Sequence, residues 1–295
     1  LSEISVIAGP SSPELAAGIA KHLDAELVSA ELRMFSDGES KIRIGKPSHK
    51  NCVVVQSTHP PVDMHLMQAM MMSMKCADDG ARVCAVIPYL AYARQDKSFL
   101  EGEVISAALV ARLLESSGVS KVITVDIHSK IASSYFSIDV LDVSSIPLLA
   151  EHASKMSLTK PIVVSPDTGG IQRASEFARI LKTDMIALKK SRDRNTGEVS
   201  VEELTGVDIS GRDAILVDDM ISSGGSIVKA AEVLRKNNAG KVYAMCAHAL
   251  LLGDAAQKIS AAGVQDIIAT NSIPGRYAKV DLSAALAGAV RSSFF

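Results

Sequence analysis

Asp218 and Asp219 stand side by side, and Ser222-Ser223-Gly224-Gly225-Ser226 follows almost at once. Paired carboxylates can grip sugar hydroxyls or a cation, whereas a run of small residues leading into a helix suits an anion. In such a loop the N–H groups converge and the helix macrodipole adds partial positive charge. The hydroxyls of Ser222, Ser223 and Ser226 would supply further donors. The carboxylates would repel the very phosphate that the loop attracts. A ligand satisfying both therefore carries a phosphate at one end and hydroxyls, or a bound cation, beside it. A ribose 5-phosphate unit has that shape. The plainer alternative is a glycine-rich turn between strand and helix with two solvated acids. A serine-hydrolase elbow would need Gly-x-Ser-x-Gly, which this stretch lacks.

A second loop of the same design is Val164-Ser165-Pro166-Asp167-Thr168-Gly169-Gly170, with a helix expected from about Ile171. Its helix N-terminus again favours a phosphate. Asp167 at the strand end could coordinate Mg²⁺ through waters. Two such loops fit a ligand with phosphates at both ends, or a sugar phosphate receiving a diphosphate.

Four other segments carry usable chemistry. In Pro88–Lys97, Arg94 can pair bidentately with polyphosphate oxygens, Lys97 can act as a point charge, and Gln95 can bond a base edge or a sugar. Asp126 and His128 are two residues apart, which on a strand puts them on one face. Lys189–Glu198 is a basic, polar stretch that could close over a polyphosphate as a lid; an exposed charged hairpin has the same composition. Phe35-Ser36-Asp37-Gly38-Glu39 offers one aromatic and two acids on a turn, enough to hold a base, although an ordinary hairpin turn would look alike. The chain contains neither Gly-x-x-x-x-Gly-Lys nor Gly-x-Gly-x-x-Gly.

The elements that must position these residues alternate along the chain. Apolar runs at Ile4–Ala8, Cys52–Val55, Val83–Ile87, Val122–Val125, Ile162–Val164, Met185–Leu188, Ala214–Val217, Val242–Cys246 and Ile267–Ala269 read as strands, and Lys41–Ile44 alternates like one. Helices are expected between them, as at Pro13–Leu23 with Ser12 as N-cap, and at Ile105–Glu115 closed by Gly118. This rhythm predicts an α/β protein with mainly parallel sheets and ligands at the carboxyl ends of strands. Its repetition predicts two similar domains, 1–147 and 148–295. Methionines 64, 67, 70, 71, 72 and 74 fall at helical spacing and suit core or subunit contacts.

Composition narrows the classes. The 295 residues carry 31 basic and 33 acidic side chains, so no global charge pulls the chain towards nucleic acid or membrane. Aromatics make up 4% and tryptophan is absent, which argues against stacking platforms for single strands. No apolar run reaches the roughly 18 residues of a membrane span, no charged-then-apolar leader opens the sequence, and the initial Leu1 suggests a trimmed start. Cys52, Cys76, Cys84 and Cys246 lack Cys-x-x-Cys spacing, so buried reduced thiols in a cytoplasmic protein are expected.

Taken together, Phe35–Glu39, Tyr92–Lys97, Val125–His128, Ser165–Gly170, Lys190 with Arg192, and Val217–Ser226 resemble the motifs of the ribose-phosphate diphosphokinases, the phosphoribosyl-diphosphate synthetases, in their shorter archaeal-like form. The Val217–Ser226 segment alone resembles the phosphoribosyl-diphosphate loop of type I phosphoribosyltransferases. The Ala-Arg-Gln-Asp-Lys segment separates the synthetases from nucleobase phosphoribosyltransferases, which lack an ATP-binding half. The resemblance implies two tandem type I phosphoribosyltransferase-like domains. It also implies the reaction ATP + ribose 5-phosphate → AMP + 5-phosphoribosyl 1-diphosphate.

It further implies roles. Phe35, Asp37, Gly38 and Glu39 would hold the adenine from an adjacent subunit of a homo-oligomer, with Arg94, Gln95, Asp96 and Lys97 forming the rest of the ATP site. His128 and Asp167 would ligate or position Mg²⁺. Lys190 would be the catalytic lysine, with Lys189 as the alternative and Arg192 as its partner. Asp218 and Asp219 would bind ribose hydroxyls, and Ser222, Ser223, Gly224, Gly225 and Ser226 the 5-phosphate. Many members have Asp-Thr-Gly-Gly-Thr where this chain has Ser-Ser-Gly-Gly-Ser, which keeps the hydroxyls and glycines. A nucleobase phosphoribosyltransferase and a non-catalytic regulatory paralogue are the rival readings.

Overall fold

The computed structural model describes residues 3–192, 199–202 and 207–294; for 189–192 and 199–202 it describes the backbone. In chain order the elements are β1 (Ile4–Ala8), α1 (Pro13–Leu23), β2 (Glu26–Met34), β3 (Ser40–Ile44), β4 (Asn51–Val55), α2 (Val62–Asp78), β5 (Arg82–Val86), α3 (Ser106–Ser116), β6 (Val119–Val125), α4 (Lys130–Ser133) and β7 (Asp139–Val143). There follow α5 (Ile146–Ser154), β8 (Ile162–Ser165), a 3₁₀ turn (Thr168–Gly170), α6 (Ile171–Leu181), β9 (Asp184–Ala187), β10 (Lys189–Arg192), β11 (Val199–Glu202) and β12 (Ala214–Ile221). The chain ends with α7 (Gly225–Lys236), β13 (Val242–Ala249), α8 (Ala255–Ala261), β14 (Val264–Thr270), β15 (Ala278–Val280) and α9 (Ser283–Phe294).

Two compact units result. The first comprises residues 1–144, 272–274 and 281–295, and the second residues 145–271 and 275–280. The sequence division at 147/148 places 281–295 with the second half, whereas α9 packs on α1 and belongs to the first unit. A short amphipathic segment at a chain end gives no sequence sign of which sheet it covers.

In the first unit the strand order is β3-β2-β1-β4-β5-β6-β7. Every pair is parallel except β2–β3, a hairpin at one edge. Central strands such as β4 and β5 are covered on both faces, so they read as unbroken apolar runs. The strands β2, beside the edge strand β3, and β7, at the other edge, which the sequence reading leaves out, mix partly buried and exposed residues. α1 begins after Ser12 as expected. The Ser12 hydroxyl, however, makes no cap bond; it accepts from the Ser57 amide at 2.9 Å. In α2, Met72 is buried and Met67, Met71 and Met74 are exposed.

The second unit has the order β15-β14-β13-β12-β8-β9, all parallel. Chain order runs outward from β8 to β9, then returns to β12 on the other side. The sheet therefore reverses its winding between β8 and β12, where open α/β sheets hold ligands. β12 is longer than expected: it runs through Asp218 and Asp219 to Ile221. The four cysteines are free and buried. Among the described residues no helix is long and apolar enough to cross a membrane.

Candidate active site

β12 pairs with β8 only as far as Leu216, opposite Val164, while on its other side it stays paired to β13 past Asp218, opposite Cys246. Asp218 and Asp219 thus lie beyond the β8 ladder, at the mouth of the crevice. Asp219 is buried at 4% exposure. Burial raises Asp218 to about 7, with the adjacent Asp219 acting in the same direction and Arg173 opposing the rise.

Arg173 is absent from the sequence-based site. Its guanidinium lies 3.3 Å from Asp218 Oδ1 and 3.6 Å from Asp219 Oδ1. It occupies the first turn of α6, a turn with no acidic residue. A cation there opposes the helix macrodipole and needs an anion beside it, which was the one local signal for it.

The Asp167 loop runs from β8 into the 3₁₀ turn. One Asp167 carboxylate oxygen accepts from the Gly169 amide at 3.0 Å and the Gly170 amide at 3.3 Å. The same amides cannot serve Asp167 and a phosphate together, so an anion here would displace that carboxylate. Gly170 allows close approach: a Cβ on it would stand 2.7 Å from Ser165 Oγ and 3.5 Å from Arg173 Nη1.

On the other side of the crevice, Ser222 and Ser223 lead from β12 to Gly224, the N-cap of α7 in a left-handed conformation at φ 78°. Gly225 and Ser226 form its first turn, whose amides have no intrahelical acceptor. The expected phosphate loop and acidic pair therefore sit on one continuous strand-loop-helix segment, next to the Asp167 loop.

In the first unit the crevice between β1 and β4, where winding also reverses, is filled. The Gln56 side chain accepts from the Ser11 amide at 3.0 Å, and the Ser11 hydroxyl donates to the Ser57 carbonyl at 2.7 Å. The expected ATP residues Arg94, Gln95, Asp96 and Lys97 instead follow β5, and His128 follows β6. Arg94 and Lys97 are exposed, and Asp96 is buried, accepting from Ser129 Oγ. Tyr135 donates to the Asp96 carbonyl at 2.7 Å, so Asp96 ties the Arg94–Lys97 turn to the loop bearing His128. His128 is exposed. The shared-face argument for Asp126 and His128 does not hold: β6 ends at Val125, and Asp126 turns left-handed at φ 39°.

Phe35–Glu39 forms the exposed tip of the β2–β3 hairpin, closed by the Phe35 amide on the Glu39 carbonyl at 2.9 Å. Asp37 accepts from the Glu39 amide, and the Arg33 guanidinium lies 5.2 Å from the Phe35 ring centre. β2 is three strands from β5, or about 14 Å at the usual spacing. The hairpin tip thus rises from a different part of the sheet than the Arg94–Lys97 turn. Of the basic stretch Lys189–Glu198, Lys189–Arg192 forms β10, paired antiparallel with β11 so that Lys190 is opposite Val201 and Arg192 opposite Val199. Residues 193–198 lie outside the described residues.

Among the described residues no three His, Cys, Asp or Glu side chains gather as a metal cage. His128, in the first unit, and Asp167, in the second, each supply too few donors for a resident ion. Mg²⁺ usually keeps waters and binds through one or two carboxylates plus substrate phosphates, and these donors fit a cation arriving with a polyphosphate.

Comparison with known proteins covers nearly the whole chain. Residues 4–118 match the N-terminal domain of ribose phosphate pyrophosphokinase, and residues 202–294 the phosphoribosyl synthetase-associated domain. A ribose-phosphate pyrophosphokinase of Methanothermobacter thermautotrophicus is 37% identical over 97% of this chain and 99% of its own. One of Sulfurisphaera tokodaii is 36% identical over 96% and 98%. The fold is similar to the crystal structure of phosphoribosylpyrophosphate synthetase from Mycobacterium smegmatis, with a TM-score of 0.87 and 30% identity over 99% of both chains. Two tandem parallel-sheet units with this coverage place the chain in the ribose-phosphate pyrophosphokinase (diphosphokinase) family.

Proposed function

We propose that the chain, an enzyme of this family, transfers the diphosphate of ATP to O1 of ribose 5-phosphate, with the second unit holding the sugar and the first the nucleotide. The observation that carries the assignment is the crevice between β8 and β12. There an acidic pair, Asp219 buried and Asp218 half-buried, and a helix N-terminus lie on one segment beside a second glycine loop.

In this reading Asp218 and Asp219 accept hydrogen bonds from ribose hydroxyls, and the amides and hydroxyls of Ser222–Ser226 hold the 5-phosphate. Arg94, Gln95 and Lys97 bind ATP, while Asp96 fixes their turn. Lys190 and Arg192 carry charge to the transferring group. The anomeric oxygen attacks the β-phosphorus and AMP leaves; alignment and charge neutralisation supply the acceleration. Mg²⁺ would neutralise phosphate charge, with His128 as a candidate ligand in the first unit and Asp167 as one in the second. Phe35–Glu39 would complete the nucleotide site of a second copy in a homo-oligomer, in keeping with its exposure at a hairpin tip. A cytoplasmic location is in keeping with the four free, buried cysteines.

Mixing the protein with Mg²⁺, ATP and ribose 5-phosphate and separating the nucleotides tests the reading. AMP release that requires the sugar is the expected result. Release of ADP, or no turnover, overturns it.

A further inference from the structure

Arg173 is in contact with both members of the acidic pair, and it reaches them from the element that begins at the other loop of the crevice. α6 starts directly after the Asp167–Gly170 turn, so its first-turn arginine crosses from one loop to the other over a residue without a side chain. Its side chain is only 22% exposed, and those of Asp218 and Asp219 are 19% and 6% exposed. Three charges this buried are held where a solvated surface pair would not be.

We propose that Arg173 is a positioning residue for the sugar, clamping Oδ1 of Asp218 and of Asp219 so that the two carboxylates stay aligned for ribose hydroxyls. The inference rests on the reading of that pair as the sugar-hydroxyl ligands. Two carboxylates so close cannot easily ionise together without an opposing charge. The Asp219 amide also donates to Asp218 Oδ1 at 2.9 Å, so the backbone and Arg173 converge on one oxygen. The charges that bear most on Asp218 are Asp219 on its own strand and Arg173 of α6. Across in β13 the Cys246 thiol stays protonated, pushed up by burial and by both aspartates. Because Arg173 belongs to the helix behind the Asp167 loop, occupation of that loop and alignment of the sugar carboxylates share one side chain.

Arg173→Gln and Arg173→Lys, compared with the wild-type chain, separate the possibilities. Sugar-dependent AMP release gives KM for each substrate, and calorimetry gives ribose 5-phosphate affinity with and without a non-reactive ATP analogue, both across about pH 6 to 9. The glutamine variant should raise KM and Kd for the sugar about tenfold near neutrality, the worth of one charge-assisted hydrogen bond, with KM for ATP moving less than about twofold. The loss should shrink as pH rises and the pair ionises unaided, and lysine should restore most of the affinity. Unchanged sugar affinity in a folded glutamine variant overturns the inference while leaving the activity in place. Equal losses in both variants with no dependence on pH, or failure of both to fold, mark Arg173 as structural and overturn it too. A wild-type chain with no sugar-dependent AMP release removes the underlying reading itself.

Discussion

Gly18 of α1 lies so close to Ser283 of α9 that a methyl on it would stand 2.2 Å from the Ser283 hydroxyl. The last helix is thereby seated on the first, with Leu286, Ala287 and Val290 buried and Arg291 donating to the His22 carbonyl. Gly18→Ala should lower stability by about 1–3 kcal/mol, the usual cost of overpacking. Gly288→Ala in the same α9 meets nothing within 4 Å and should be neutral or stabilising by about 0.5–1 kcal/mol. Thermal melts of the two variants check the contrast; equal shifts would contradict this seating of α9.

A second prediction concerns pH. Asp218 has an ordinary carboxylate value of 3.8 raised to about 7, so near neutrality the folded chain keeps a proton that the unfolded chain has lost. Stability from this group is fully present below about pH 4 and falls as pH rises through 7. Asp218→Asn should match wild type near pH 4 and exceed it by about 2–4 kcal/mol at pH 8, because each pH unit separating the folded and unfolded values is worth about 1.36 kcal/mol. Denaturant titrations at both pH values read this out. An asparagine variant less stable than wild type at pH 8 would mean the ionised carboxylate is net favourable in its site.

What the sequence revealed and concealed follows one physical line. Ala214–Val217 was legible because a strand buried on both faces is an unbroken apolar run, yet its continuation to Ile221 was not, since Asp218 and Asp219 interrupt that run. The turn at Ser222–Ser226 into α7 was legible because a run of small residues before a helix is local in sequence. Arg173 was not, because its contact with Asp218 spans 45 residues and exists only once β8 and β12 are neighbours. The left-handed turn at Asp126 left no local mark, so His128 was expected on a strand that stops short of it.

The exposed hairpin tip gives a third prediction. If Phe35–Glu39 serves a neighbouring subunit, Phe35→Ala and Lys190→Ala damage different chains of a shared site. Mixing the two inactive proteins under conditions of subunit exchange should then restore activity, up to about one quarter of wild type in random dimers, since half of these are hybrids with one intact site. Demonstrated exchange without recovery would argue for sites complete within one chain.

The last prediction turns on the register of β10. Lys189 pairs with Glu202 and Lys190 with Val201, so neighbouring lysines hold distinct places in the ribbon, and Arg192 follows Lys190 at a spacing of two residues. The proposed catalytic lysine is Lys190, which leaves Arg192 two positions on in the sequence. Charge builds on the phosphoryl oxygens as the bond to AMP breaks, and a cation delivered there acts mainly on the transition state. By analogy with arginine fingers its loss costs about 10³–10⁵-fold in kcat. Lys190→Ala should therefore lower kcat by a comparable factor with KM for both substrates little changed, Arg192→Ala should do so less severely, and Lys189→Ala should be mild. Steady-state kinetics of the three variants decide the register: a crippled Lys189→Ala beside a mild Lys190→Ala would move the catalytic lysine by one position.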